Sequence, residues 1–116
     1  MPLRKLRNAG VTVALATDNV PTSLFNPIAQ TLTRLDRYAG RPIAPSQRLT
    51  REEALRAATT AGAWLTFEEG EKGTLEPRKL ADLAVLSADP LTVDESRIAN
   101  IVADVTIVGG RVVFER

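Results

Sequence analysis

Apolar and polar positions divide the 116-residue chain into three pieces of different texture. In the first, residues 1–48, Leu3 and Leu6 share one side of a short helical tail, and Gly10 is placed to end it. Val11 to Ala16 then form a near-continuous apolar run that predicts a strand over 11–16 covered on both faces, as in a parallel sheet flanked by helices. A loop follows. Ile28, Leu32 and Leu35 recur at helical spacing and predict a helix over about 27–38, with Asn26 as N-cap, Pro27 at the first helical position, and Gly40 and Pro42 as stops.

The middle piece, 49–73, opens on Thr50-Arg51-Glu52-Glu53, a capping box in which the Thr50 hydroxyl and the Glu53 carboxylate exchange hydrogen bonds with each other's backbone N–H. Ala54, Leu55, Ala58, Ala61 and Leu65 mark one face of a helix running to about Trp64. The last piece, 74–116, reads as β. A strand over 82–86 is closed by Asp89-Pro90, and 101–115 forms a hairpin across Gly109-Gly110. A two-residue turn there pairs Ile107 with Val112 and Val105 with Phe114, placing four large apolar groups on one face. The fold class is thus α/β to α+β.

Composition narrows the chemistry. Hydrophobic residues make up 44% and charged residues 25%, the balance of an ordinary folded domain. The chain falls well short of the roughly 250 residues of a closed (β/α)₈ barrel. There is no run near the roughly 20 apolar residues of a membrane span, and no signal-peptide pattern at the N-terminus; a soluble, cytoplasmic protein without a membrane partner is the expectation. The absence of cysteine removes disulfides and thiol catalysis, and the absence of histidine removes the usual general base and the commonest metal ligand. Chemistry must rest on carboxylates, hydroxyls, Lys or Arg. Basic residues concentrate in 1–48 but lie scattered without interleaved aromatics, so no nucleic-acid partner is expected.

Four stretches carry a resemblance. "GTLEPRKLADLAVLSADP" (73–90) followed by "VTIVGGRVVFER" (105–116) resembles the closing segment of the metal-dependent amidohydrolase superfamily, "LTREEALRAATTAGAWL" (49–65) its helix joining barrel to sandwich, and "AGVTVALATDNVPTS" (9–23) its eighth barrel strand and loop. "TDNVPTS", "NP" and "LTREEAL" point to the amidohydrolase family 3 branch. One position departs from the pattern: Arg78 stands where glycine is expected, which predicts a different backbone conformation in that turn. The resemblance spans essentially the whole chain. It implies a C-terminal portion of a TIM-barrel hydrolase: the last βα unit, linking helices, and an antiparallel segment of the flanking composite β-sandwich. Met1 is then an internal start, a truncated gene or a deliberate excision.

The same resemblance assigns Asp18, at the C-terminal end of strand 11–16, to catalysis and, in an intact barrel, to the metal. It closes the metal site, takes a proton from metal-bound water and returns it to the leaving amine. Read from the residues alone, Asp18 is a turn or capping residue first, because a lone carboxylate is a poor metal site. Asn19, Thr22 and Ser23 lie on the loop that would face a small amide or cyclic amide substrate. A divalent metal, zinc above all, belongs to the intact family enzyme; none is expected in this chain alone, because a lone carboxylate cannot hold it. Asp82 is read as a backbone hydrogen-bonding residue at a strand start, Glu68, Glu69 and Glu71 as a solvated patch, and Trp64 and Tyr38 as packing residues. The isolated chain is therefore expected to lack hydrolase activity. The alternative is a non-catalytic binding or self-assembly module, a homo-oligomer formed through exposed strand edges.

Overall fold

The computed structural model describes residues 1–18, 22–36 and 38–116. Helices α1 (Leu3–Asn8), α2 (Phe25–Thr33), α3 (Arg51–Ala58) and α4 (Thr60–Leu65) precede strands β1 (Leu83–Leu86), β2 (Ala103–Val108) and β3 (Arg111–Glu115). Short 3₁₀ turns occupy Pro45–Gln47 and Glu95–Asn100. The result is a small mixed α/β domain with a three-stranded antiparallel sheet in the order β1-β2-β3. None of its helices is long and apolar enough to cross a membrane, among the described residues.

Local chemistry explains each boundary. Helix α1 ends in a Schellman arrangement: Gly10 N–H donates to the Arg7 carbonyl and Val11 N–H to the Leu6 carbonyl, with Gly10 at φ +78°, a conformation that favours glycine. Lys5 and Arg7 in its last turn complement the helix dipole. Helix α2 starts one residue before the expected N-cap, because Ser23 Oγ accepts from Phe25 N–H at 3.3 Å. Pro27 is tolerated in the first turn, where its missing N–H has no helical partner to lose. The helix expected to reach residue 38 stops at Thr33. Thr33 Oγ1 bonds back to the Ala29 carbonyl and accepts from Leu35 N–H, Arg34 turns left-handed at φ +56°, and Asp36 Oδ1 takes up Tyr38 and Ala39 N–H. Such short polar side chains compete with the helical ladder. Leu35 and Tyr38 are therefore exposed, Tyr38 at 95%, rather than packed.

The capping box forms as expected, with Glu53 N–H donating to Thr50 Oγ1 and Thr50 N–H to Glu53 Oε2. The single helix expected to run from there to Trp64 is broken at Thr59, whose φ and ψ are −125° and −81°. Thr59 and Thr60 hydroxyls bond back to the carbonyls of Leu55 and Arg56, a pattern that bends helices. The break rotates the apolar stripe: Ala54, Ala57, Ala61 and Ala63 are buried, while Leu65 and Trp64 stay 62% and 51% exposed.

Leu3, Ile28, Ala29, Leu32, Leu49, Ala54 and Ile98 form the core, with Val13, Leu15, Phe25 and Leu55 against it. Ile98 reaches it from the 3₁₀ turn Glu95–Asn100, an element the hydrophobic pattern does not announce. In the sheet, Gly109 and Gly110 take φ +56° and +77°, the two positive values of a type I′ turn. Asp82 Oδ1 accepts from Gly109 N–H at 2.7 Å, and the Ala81 carbonyl accepts from Gly110 N–H. This confirms the backbone-bonding role read for Asp82. Ile107 pairs with Val112 as expected, but a bulge between Thr106 and Ile107 moves Phe114 opposite Thr106 and Glu115 opposite Val105. The extra residue turns Phe114 away from the face holding Ile107 and Val112, so the four-residue apolar cluster does not form. Arg78 corrects another expectation. It adopts φ +76°, so the turn keeps a left-handed conformation without glycine, at a strain of about 1–2 kcal/mol.

Candidate active site

The Schellman end of α1 leads into residues 11–17, which form neither helix nor strand, and Asp18 follows them. The apolar run is read as a strand, yet it belongs to no ladder among the described residues. Its neighbours in a sheet are not among the elements present, and strand pairing requires them. Val13 and Leu15 pack on the core, and Leu15 N–H donates to the Ala57 carbonyl at 2.9 Å. These two contacts fix where the segment ends. Asp18 is exposed and sits in a turn at φ +51°, a left-handed conformation that Asp and Asn adopt more readily than most side chains.

The other candidates divide. Ser23 is engaged through Oγ with Phe25 N–H, so the structure gives it a capping role at the head of α2. Thr22 is exposed beside it. Asn19 lies outside the described residues. Asp18 is not brought together with other ligating groups: no cluster of three or more His, Cys, Asp or Glu able to hold a metal ion exists among the described residues. Zinc takes about four ligands, and the full chain has neither His nor Cys to supply them. The residues present do not fit a divalent metal site. Glu68 does not contribute either, since it is paired with Lys72 at 2.7 Å and accepts from Thr66 Oγ1.

One arrangement that supports the site is invisible to sequence reasoning. Glu53, the capping-box carboxylate, also receives both terminal nitrogens of Arg4, each at 2.7 Å, and Arg7 Nε lies 3.3 Å from its Oε1. Arg4 additionally donates to the Arg48 carbonyl. One carboxylate thus clamps α1 to the head of α3, and α1 is the element from which the 11–17 segment departs. The paired Arg4 guanidinium is the main reason Glu53 is held down to about 2 from 4.5; Thr50 N–H and the Arg7 charge add to it, and partial burial opposes them.

A carboxyl group whose folded pKa is depressed stabilises the fold above its unfolded pKa and loses that contribution as acid protonates it. Glu53→Ala is therefore expected to destabilise the chain by about 2 kcal/mol near neutral pH. The difference should shrink as pH falls from 4.5 towards about 2. Urea titrations of both proteins across that range measure it; a pH-independent gap would contradict the clamp.

A second feature is a cleft of about 490 Å³ between the α2–α3 layer and β1, lined by Phe25, Ile28, Leu55, Leu80, Leu83 and Leu86, with Lys72 and Asp82 among its polar neighbours. Asp18 does not line it.

With this geometry in view, comparison with known proteins is decisive at the level of family. The amidohydrolase family matches residues 1–114. The chain is 33% identical over 117 residues to the N-substituted formamide deformylase of Arthrobacter pascens, covering 99% of this chain and 21% of that protein. It is 34% identical over 116 residues to the imidazolonepropionase of Porphyromonas gingivalis, covering 97% of this chain and 25% of that protein. The crystal structure of an amidohydrolase from Thermotoga maritima MSB8 superposes with a TM-score of 0.69 at 24% identity, over 98% of this chain and 26% of that one. The chain therefore spans between about a fifth and a quarter of the length of the relatives it matches. Across nearly its whole length, this chain belongs to the amidohydrolase family.

Proposed function

We propose that residues 1–116 are the C-terminal portion of a hydrolase that cleaves C–N bonds in small amides or cyclic amides, and that Asp18 is its proton-transfer carboxylate. In the complete enzyme, 11–17 is the last strand of a TIM barrel, α2 the helix of that βα unit, and β1–β3 part of the flanking sandwich. Barrel enzymes place their chemistry at the C-terminal ends of strands, and the exposed position of Asp18 just after 11–17 supports that role. The observation that carries this reading is the family match over residues 1–114, set against the 21% to 26% of each relative that those residues occupy.

The carboxylate takes a proton from the attacking water and returns it to the departing amine as the C–N bond breaks, so it ends the cycle in its starting form. Thr22 flanks the substrate side, Asn19 is its neighbour in sequence, and Ser23 holds the loop to α2. In the complete enzyme Asp18 would also close a divalent-metal site, zinc above all, whose other ligands would come from residues outside this segment. The names of two relatives, a formamide deformylase and an imidazolonepropionase, support a small C–N compound as the proposed substrate. The cytoplasm is the compartment proposed for this hydrolase. The segment alone has no turnover in this account.

The test is a chimera in which residues 1–116 replace the matching fifth of the Arthrobacter pascens deformylase. It should hydrolyse an N-substituted formamide, and Asp18→Asn within it should abolish that activity. A folded chimera that works equally well without the carboxylate contradicts the proposal.

A further inference from the structure

The loop between α4 and β1 encloses a cation of its own. The Lys79 side chain is only 17% exposed, and its ammonium faces four oxygens: Thr74 Oγ1 at 2.6 Å, the Glu69 carbonyl at 2.9 Å, Glu76 Oε2 at 3.1 Å and the Lys72 carbonyl at 3.5 Å. Two of these are main-chain groups, and one alone is a carboxylate. One positive charge is thereby balanced by one negative charge, with the remaining oxygens neutral acceptors.

The loop is shaped by bonds that do not involve the ammonium. Glu71 and Lys72 N–H donate to the Glu68 carbonyl, Lys79 N–H to the Glu76 carbonyl, and Leu80 N–H to the Glu71 carbonyl. Gly73 approaches α4 so closely that a Cβ there would lie 3.0 Å from Ala63 Cβ and 3.1 Å from Thr60 Cα. These contacts keep the oxygens convergent when the ammonium is taken away. Every group of the cage comes from residues 69–79, so the cage is complete within the loop. From Lys79 the chain passes directly to Ala81 and Asp82, whose oxygens accept from Gly110 and Gly109 N–H. A loosened cage therefore reaches the hairpin turn.

We propose that residues 69–76 form a binding site for an ammonium-sized monovalent cation, filled here by the tethered ammonium of Lys79, and that a free ammonium ion occupies it once the tether is cut. Truncating Lys79 to Ala leaves four acceptors without their donor, and unmade bonds to a charged group are costly. It also clears the path of the four-carbon stem. A free ammonium ion brings N–H donors of the same kind as the lost group. Tetramethylammonium carries the same charge but has no N–H to give.

Urea titrations of the 116-residue chain test this. Lys79→Ala should lower the folding equilibrium constant at least about tenfold, the loss of charge-assisted hydrogen bonds. Ammonium chloride should reverse that loss, by about elevenfold when the ion is present at ten times its Kd. Tetramethylammonium chloride at matched ionic strength should not. Wild type, whose own ammonium fills the cage, and Lys79→Met, whose side chain fills it without charge, should respond alike to the two salts. Adding Thr74→Val to Lys79→Ala removes the shortest contact and should abolish the ammonium response. If Lys79→Ala is unfolded without urea, circular dichroism follows its refolding in the same two salts, and ammonium alone should restore it. A Lys79→Ala chain as stable as wild type, an equal response of that chain to both salts, or an ammonium response that survives loss of the Thr74 hydroxyl each overturns the proposal. Asp18 takes no part in the cage, so this proposal and the chimera's turnover fail separately.

Discussion

Asp18→Asn in the deformylase chimera lowers kcat by about 10³-fold, within the range that general acid–base groups supply. The substitution separates the two readings that residue types alone leave open. Asn adopts the left-handed conformation of Asp18, at φ +51°, as readily as Asp does. It also hydrogen-bonds its own backbone in turns. If residue 18 serves only to turn the chain, the amide replaces the carboxylate with no loss. If the carboxylate carries the proton from water to leaving amine, the amide cannot accept it, and turnover collapses while the fold stays intact. Stability and kcat measured on the same preparation therefore tell a turn residue from a catalyst.

Ile98→Ala is expected to lose about 3 kcal/mol, the largest stability effect of a single truncation here. Ile98 is 0% exposed and joins the cluster of Ile28, Leu32, Leu49 and Ala54. It docks the 3₁₀ turn Glu95–Asn100 on α2, and so ties the β part of the chain to the helical part. Removing its outer carbons leaves a void that close-packed neighbours fill only in part. Against a total stability of about 5–15 kcal/mol for a domain, that is a large fraction. Denaturant midpoints should fall with an unchanged m-value. Val113→Ala, at a site 61% exposed, should leave the midpoint nearly unmoved. Equal effects at the two positions would contradict the placement of the core.

What could be read along the chain was local. The Thr50–Glu53 box, the Gly10 stop and the Gly109-Gly110 turn each depend on residues within a few positions, and each forms. The errors arise where distant groups or competing side chains decide. Thr33, Asp36, Thr59 and Thr60 divert backbone bonds and shorten or break helices that apolar spacing extends. The bulge in β3 is a single-residue slip that alternation cannot report. Arg4 and Glu53 stand 49 positions apart, and nothing in either neighbourhood announces the other.

The candidate site follows the same division. Asp18 at the end of an apolar run was legible from position and residue type. The capping duty of Ser23 was not, since a loop serine gives no sign of which N–H it will accept from. The strand pattern of 11–16 was also legible, but a strand is completed by its neighbours, and its pattern does not say whether they lie on the same chain.

Zinc titration of the 116-residue chain by calorimetry tests the central claim most directly, namely that one carboxylate of a larger site resides here. The expected result is no stoichiometric uptake near neutral pH, and none of the heat changed by Asp18→Asn. One equivalent of tightly held zinc, lost on that substitution, would show a complete site within this chain and contradict the account.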